Sequence, residues 1–198
     1  MDASRQVEPV ILEGRRVRLE PLGLEHVGQL AEIALDPAVW QWTLARPTDE
    51  GGLRAWAETA IAGRAAGTEY PFVTLDAATG RPIGSSRYMN IVPEHLRLEI
   101  GWTWIAPAWQ RTGANREAKL LMLGHAFDTL GCRRVEFKTD SLNAPSRAAL
   151  LGIGAQFEGI FRNHMVMPGG RMRHSAWYSV IDEEWPAVRE GLERSLAR

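Results

Sequence analysis

Residues 99–119 constrain the fold of this chain more than any other stretch. Leu98 to Ile105 is rich in β-branched and aromatic residues, which favours a strand, and Pro107 ends it because proline has no N–H for the sheet. A polar turn containing Gly113 follows, and from Asn115 onwards apolar residues recur at helical spacing. The stretch therefore predicts a strand, a tight loop and a helix at the centre of the chain.

The predicted loop has the chemistry of an anion site. Backbone N–H groups at a helix N-terminus, together with the positive end of the helix dipole, favour phosphate. Gly113 lets the backbone approach a ligand without a Cβ, and Arg111 and Arg116 add mobile positive charge. An ordinary strand-to-helix connection with solvated arginines has the same local pattern, so the loop alone does not decide the function.

Three motifs in order narrow the choice. Residues 110–115, Gln-Arg-Thr-Gly-Ala-Asn, resemble the pyrophosphate loop of the GNAT acyltransferases, Gln/Arg-x-x-Gly-x-Gly/Ala, with Asn115 in the last place. The preceding Glu-Ile-Gly-Trp at 99–102 resembles the fourth strand of the RimJ/RimL branch, the ribosomal-protein N-terminal acetyltransferase type. Asn-Ala-Pro-Ser at 143–146 and Gly-Ala at 154–155 resemble the next block of the family. The resemblance covers about residues 14–180.

The resemblance implies an N-acetyltransferase with acetyl-CoA as the acyl donor and no metal. In the family, the fourth and fifth strands splay apart and coenzyme A enters the gap. Backbone N–H groups near the end of the strand would polarise the thioester carbonyl, the loop would hold the pyrophosphate, and the residue matching Asn143 contacts the pantetheine arm. The implied cofactor-binding residues are Trp104, Ile105, Gln110, Arg111, Thr112, Gly113, Ala114, Asn115 and Asn143.

Glu99 and Ser146 are the candidate catalytic residues. Only a neutral amine attacks a thioester, so the site needs a proton acceptor, and several GNAT enzymes use a glutamate on this strand through water. Many also place a tyrosine four residues after the Ser146 position to protonate the departing thiolate, but here that residue is Leu150. Ser146 or a bound water would take that role. The structural alternatives are an ion pair of Glu99 with Arg87 or Arg97 and a helix-surface hydroxyl for Ser146.

Three tryptophans lie where the family's first two helices wall the acceptor site: Trp40, Trp42 and Trp56. They predict a hydrophobic or stacking pocket in which Trp40 and Trp42 bind the acceptor, with core packing as the alternative. The acceptor would be a protein N-terminus or a small amine. A non-catalytic acyl-CoA-binding module or subunit remains a second hypothesis, because the usual tyrosine is missing.

Two smaller expectations concern side chains near these motifs. Alternation along the central strand places Trp102 and Trp104 on one face and Glu99 on the other. Basic residues flank the last predicted hairpin as a solvated rim or as contacts for an acidic substrate or a ribosomal surface. They are Arg162, His164, Arg171, Arg173 and His174.

The order of predicted elements gives an α+β fold with a GNAT-like mixed, mostly antiparallel central sheet. One parallel β-α-β crossover runs from Leu98 to Thr139, and helices cover both faces. The predicted domain spans residues 10–181, and a C-terminal helix within 182–198, capped by Asp182, packs on it. Residues 1–9 are expected to be disordered.

Composition bounds the remaining classes. A chain of 198 residues with 24% charged residues is typical of one globular domain, and a net charge of -1 argues against a nucleic-acid partner. Lysine occurs only at 119 and 138. The single Cys132, expected to be a buried hydrophobe, excludes an internal disulfide and fits the cytoplasm. Neither a signal peptide nor a membrane-spanning run is recognisable, so we expect no membrane partner and leave a homodimer open.

Overall fold

The computed structural model describes residues 7–197. Within that range the chain forms eight strands and six α-helices. The strands are β1 (Leu12–Glu13), β2 (Val17–Pro21), β3 (Glu69–Asp76), β4 (Pro82–Val92), β5 (Arg97–Ile105), β6 (Arg134–Asp140), β7 (Gln156–Val166) and β8 (Met172–Ile181). The helices are α1 (Val27–Ala34), α2 (Pro37–Trp40), α3 (Glu50–Ala65), α4 (Ala114–Gly124), α5 (Ala144–Gly152) and α6 (Trp185–Leu196). A π-helical turn, His125–Thr129, extends α4.

All eight strands form one sheet in the order β1-β2-β3-β4-β5-β6-β8-β7. Every neighbouring pair is antiparallel except β5 and β6, which are parallel and joined through α4. The predicted mixed sheet with one parallel crossover is confirmed. The crossover brings the end of β5, the loop and the start of α4 to one edge of the parallel pair.

Two hydrophobic clusters lie on opposite faces of the sheet, as predicted. One joins the sheet to α4, α5 and α6 and includes Phe72, Met122 and Trp185. The other joins it to α1, α2 and α3 and includes Val73 and Leu53. Since Phe72 and Val73 are consecutive on β3, their separation follows from the alternation of side chains along a strand. We call the two sides the α4 face and the α3 face.

The helix boundaries follow local signals with one exception. Asp49 caps α3 by accepting a hydrogen bond from Gly52 N at 2.7 Å. The predicted start of the C-terminal helix at Asp182 is wrong, because α6 begins at Trp185. The Asp182 carboxylate pairs instead with Arg133 and is not available to cap the helix.

The N-terminal residues precede the first strand, which begins at Leu12. Disorder is the expectation for residues 1–9. Residues 1–6 lie outside the described residues, so the expectation is untested there. Val7 and Val10 pack against the α4-face cluster. Between residues 7 and 197, none of the helices is both long and apolar enough to cross a membrane.

Candidate active site

Strands β5 and β6 part soon after they meet. The parallel register pairs Arg97 with Arg134, Leu98 with Val135 and Glu99 with Glu136. No further pair follows in this fully described part of the chain, although β5 continues to Ile105 and β6 to Asp140. The strands therefore leave a gap whose facing backbone groups are free to bind an extended ligand.

The loop at the open end of the gap is shaped by local hydrogen bonds. Gln110 Nε2 donates to Ile105 O at 3.2 Å, and Thr112 Oγ1 donates to Trp109 O at 2.7 Å. Gly113 has φ +91, a left-handed conformation that glycine adopts without a Cβ penalty. These contacts fold the chain back sharply from β5 into α4.

The first turn of α4 leaves amide groups facing the loop. Its first helical hydrogen bond runs from Glu117 N to Gly113 O at 2.9 Å, so the N–H groups of Asn115 and Arg116 have no helical acceptor. Asn115 Oδ1 is buried and has no hydrogen-bond partner among the described residues. The loop and the helix N-terminus thus lie together beside the gap, and that they bind an anion stays a prediction.

Glu117 ties this loop to the first strands, a contact that the sequence analysis missed. Its buried carboxylate accepts hydrogen bonds from the backbone N–H groups of Arg15, Arg16 and Val17 at 3.2, 2.6 and 2.8 Å. Arg16 thereby lies next to the loop, since a Cβ on Gly113 would stand 3.4 Å from Arg16 Nε. Glutamate is common in the first turn of a helix because its charge interacts favourably with the helix dipole. No signal in the sequence therefore indicated that Glu117 also binds the backbone of residues 15–17.

A β-bulge at Trp102 sets which side chains of β5 share a face. Gly101 pairs with Arg87 and Trp104 pairs with Ser85, so β5 has one extra residue there. Trp102 has φ +51, and its ring lies 4.9 Å from the Arg87 guanidinium. The prediction that Trp102 and Trp104 share a face is confirmed. Glu99 lies on that α3 face too, so its predicted opposite parity is wrong, because the bulge interrupts the alternation.

Tryptophans form one aromatic cluster on the α3 face. The ring centroids of Trp40 and Trp104 lie 5.5 Å apart, and those of Trp40 and Trp56 lie 5.4 Å apart. Trp40 is 1% exposed and its indole N–H donates to Ala34 O at 2.5 Å, so it lies in the core. Trp42 is half-buried at the edge of the same side. The structure thus separates the two predicted acceptor contacts.

Arg87 completes this cluster. Its guanidinium lies 5.4 Å from the Trp56 ring and pairs with Glu69 at 2.6 Å. Burial lowers the pKa of Arg87, while the hydrogen bond to Glu69 opposes that shift. Its Nε and Nη2 atoms have no hydrogen-bond partner among the described residues. The facing rings of Trp56 and Trp102 supply cation–π attraction in their place.

Glu99 is 1% exposed and held by two donors. Its Oε2 atom accepts hydrogen bonds from Asn90 Nδ2 at 2.7 Å and from Lys138 Nζ at 2.9 Å. The expected arginine partners are engaged elsewhere, Arg87 with Glu69 and Arg97 with Glu136. The ion pair of Glu99 exists, but its partner is the lysine on β6, so the predicted partner was wrong.

The basic residues of the β7–β8 hairpin do not all form a solvated rim. Arg173 is 7% exposed, donates through Nε to Ser175 Oγ at 3.1 Å and through Nη1 to Trp42 O at 3.4 Å, and burial lowers its pKa. Arg171 is exposed and pairs with the buried Asp140 at 2.5 Å. An open depression of about 880 Å³ lies nearby, lined by Phe161, Arg162, Asn163, His164 and His174.

Helix α5 begins within the Asn-Ala-Pro-Ser motif. Asn143 Oδ1 caps it by accepting a hydrogen bond from Ser146 N at 3.1 Å. Ser146 is half-buried, and its hydroxyl makes no hydrogen bond to the described residues. Leu150 is buried in the α4-face cluster, at the position where the family's tyrosine would stand.

Cys132 lies at the start of the chain segment leading into β6. It is 2% exposed, and burial raises the pKa of its thiol to about 11. The expectation of a buried hydrophobic cysteine is confirmed. Within residues 7–197, His, Cys, Asp and Glu side chains form no group of three that could hold a metal ion.

Lys119 is a further buried group that the motif analysis passed over. It is 4% exposed, and Nζ donates to Thr103 Oγ1 at 2.6 Å and to Ser86 Oγ at 3.3 Å. Burial lowers the pKa of this lysine to about 7. The available sequence signal was compositional, since lysine occurs at only one other position, 138.

The fold resembles that of known acetyltransferases. The uncharacterized N-acetyltransferase p20 of Bacillus licheniformis is 26% identical over 171 residues, 86% of this chain and 95% of its own. A GCN5-related N-acetyltransferase from Brucella melitensis is 35% identical, with a TM-score of 0.90 over 97% of this chain and 87% of that one. Mycobacterium smegmatis RimJ, solved in complex with CoA-disulfide, shares the fold at 21% identity, with a TM-score of 0.81 over 94% of this chain and 95% of its own.

A family comparison agrees with these similarities. The model of the acetyltransferase (GNAT) domain matches residues 16–156, which include the parted strands, the loop and α5. That range covers well over half of the 198 residues. The chain belongs to the GNAT acetyltransferase family.

Proposed function

We propose that this chain transfers an acetyl group from acetyl-CoA to a primary amine by direct attack of the amine on the thioester. The observation that carries the proposal is the position of the β5–β6 gap beside the loop and the first turn of α4. An extended pantetheine arm needs backbone groups along its length, and a pyrophosphate needs amide donors at its end. Both requirements are met where β5 and β6 part, beside the start of α4.

The residues around the gap fit acetyl-CoA. Gly113, with φ +91, gives the loop its sharp turn, and the free amides of Asn115 and Arg116 are suited to phosphate oxygens. The backbone near Trp104 and Ile105 lies in the part of β5 that no longer pairs with β6, where it could polarise a thioester carbonyl. Acetyl-CoA would supply the activated acyl group. The remaining proposed contacts are Gln110, Arg111, Thr112, Ala114 and Asn143.

Glu99 is the proposed base for the amine. It lies on the α3 face with Trp104, and Lys138 and Asn90 hold its Oε2 atom while Oε1 makes no hydrogen bond within the described residues. Because the side chain is 1% exposed, it would take the proton through an ordered water. Trp42 borders the proposed acceptor site, and Trp40 supports it from the core.

The acceptor remains a protein N-terminus or a small amine. The resemblance of residues 99–102 to the RimJ/RimL branch supports a protein acceptor and a cytoplasmic setting. The buried guanidinium of Arg173 beside Trp42 supports an acceptor that carries an anionic group. The second candidate, an acyl-CoA-binding module without catalysis, is favoured by Leu150, which cannot protonate a thiolate.

Thiol release from acetyl-CoA tests the proposal. The purified chain would be incubated with amines, free amino acids, their carboxamides and short peptides, with mass spectrometry of the acceptors. We expect thiol release that depends on one acceptor class, with one acetyl group gained per thiol. Binding of acetyl-CoA without acceptor-dependent release across the panel would favour the non-catalytic module. Absence of acetyl-CoA binding would contradict both.

A further inference from the structure

Both lysines of this chain lie where β5 and β6 separate. The sequence has 23 basic Lys and Arg residues, and lysine occurs only at 119 and 138. Lys138 approaches the gap from the α3 face, where it pairs with Glu99. Lys119 approaches from the α4 face, where it reaches Thr103 on β5. Two residues of a rare type at one place indicate that the site needs a property that arginine lacks.

The property that separates the two side chains is proton exchange. A guanidinium stays protonated under all physiological conditions, whereas a buried ammonium gives up its proton readily. Lys138 has a carboxylate partner and serves as a fixed charge. Among residues 7–197, Lys119 has only the hydroxyls of Thr103 and Ser86 as hydrogen-bond partners. It is therefore the lysine whose proton is free to move.

The Lys119 side chain reaches both strands that border the gap. Its Nζ atom donates to Thr103, on the part of β5 beyond its pairing with β6, and lies 6.0 Å from the ring centroid of Phe137, the first residue of β6 beyond that pairing. Leu150, at the position of the family's tyrosine, is buried in the cluster on the same face. The ammonium thus reaches the gap from the side on which that tyrosine would stand.

In the described part of the chain, no charged group pairs with Lys119 from the elements packed on it. Strand β4 presents Ser86, β5 presents Thr103, and β6 presents Phe137. On α4 itself, the Glu117 carboxylate is turned to the backbone of residues 15–17. Burial alone lowers the pKa of Lys119 to about 7, so both of its forms are populated near neutral pH.

We propose that Lys119, directly or through the Thr103 hydroxyl, gives its proton to the thiolate released from acetyl-CoA. The amine nitrogen forms a bond to the thioester carbon, the carbon–sulfur bond breaks, and its electron pair stays on sulfur. Sulfur takes the proton from Lys119, and the amine loses one proton to the base. Lys119 then regains a proton from solvent after the free thiol leaves. This inference rests on the proposed function. It assigns to Lys119 the role of general acid, which Leu150, in the place of the family's tyrosine, cannot fill.

Ionisation of bound coenzyme A tests this without turnover. A nearby ammonium stabilises the thiolate, so ultraviolet titration should give the bound thiol a pKa about one unit lower in the wild type than in Lys119→Met. Ser146→Ala should leave the pKa of that thiol unchanged. Equal thiol pKa values in wild type and Lys119→Met would overturn the proposal, and a shift seen only in Ser146→Ala would assign the acid to the serine. If the wild type does not bind coenzyme A, the proposed function fails first and this inference with it.

Turnover separates a proton donor from a fixed charge. Lys119→Met and Lys119→Arg should both lower kcat by about 10²-fold while KM for acetyl-CoA changes little, because arginine keeps the charge but holds its proton. Full activity in Lys119→Arg would overturn the donor role. Thr103→Val retains the lysine, so it still tests the proposal if the Lys119 variants misfold. Losing its hydroxyl partner should shift the alkaline limb of kcat to lower pH, and an unchanged limb would contradict the proposal.

Discussion

The Glu99 carboxylate accepts a hydrogen bond from the Lys138 ammonium at 2.9 Å, at the point where β5 and β6 separate. Glu99 belongs to the last residue pair that joins these strands, and Lys138 lies two residues beyond its partner Glu136. The ion pair therefore closes the apex of the gap on the α3 face. It also fixes the orientation of the carboxylate that we propose as the base.

Glu99→Gln tests the proposed base. The variant should keep its affinity for acetyl-CoA and lose about 10²–10⁴-fold in turnover at neutral pH, because an amide cannot take a proton from the acceptor. The loss should shrink as pH rises and the free amine becomes abundant. Steady-state kinetics across pH would measure this.

Glu136→Gln is the matched control, since it neutralises the neighbouring carboxylate that pairs with Arg97 and Arg134. It should lower stability and leave turnover per folded molecule unchanged. If Glu99→Gln behaves like this control, melting early but turning over normally, Glu99 is a structural residue.

Lys119 should make folding stability depend on pH. Its pKa is about 7 in the folded chain against 10.5 for an ordinary lysine, so between those values the unfolded chain binds a proton that the folded chain does not. Unfolding free energy should therefore rise with pH in this window, by at most about 1.4 kcal/mol per unit. Denaturant unfolding between about pH 7 and 8.5 should show the rise in wild type and its loss in Lys119→Met. Parallel slopes in the two proteins would mean that Lys119 stays charged when folded.

The ion pair of Arg87 with Glu69 should contribute more stability than an exposed pair. Arg87 is 3% exposed, so Glu69→Gln leaves a buried charge without its partner and should cost about 3 kcal/mol. Glu32→Gln breaks the exposed pair with Arg81 and should cost less than about 1 kcal/mol. Urea unfolding of both variants measures the difference. Similar losses would mean that the rings of Trp56 and Trp102 alone hold the guanidinium.

Cys132→Ala should retain activity. Burial raises the pKa of the thiol to about 11, so little thiolate exists at neutral pH, and direct attack requires no acyl-enzyme. Turnover should stay within about tenfold of wild type, under ~1.4 kcal/mol of barrier. Mass spectrometry of the chain after brief mixing with acetyl-CoA provides the second readout. An acetyl group trapped on Cys132 would indicate a covalent route.

Local signals in the sequence predicted most of the fold. Caps such as Asp49 and Asn143 act within one helical turn, so their sequence neighbours suffice to place them. The face of Glu99 was misjudged because the bulge at Trp102 appears only when residues are counted on both β4 and β5. The tether of Glu117 joins residues 101 positions apart, a pairing that no local pattern encodes.

The measurement that tests the central claim most directly is calorimetric titration of wild type, Gly113→Ala and Gly113→Glu with acetyl-CoA. Gly113 has φ +91, so alanine adds backbone strain alone, whereas glutamate also adds bulk and negative charge at the loop. We predict that wild type binds, that alanine weakens binding modestly, and that glutamate weakens it at least about 100-fold, ~2.7 kcal/mol, with the circular dichroism spectrum unchanged. Equal affinity in wild type and Gly113→Glu, with both proteins folded, would contradict the account.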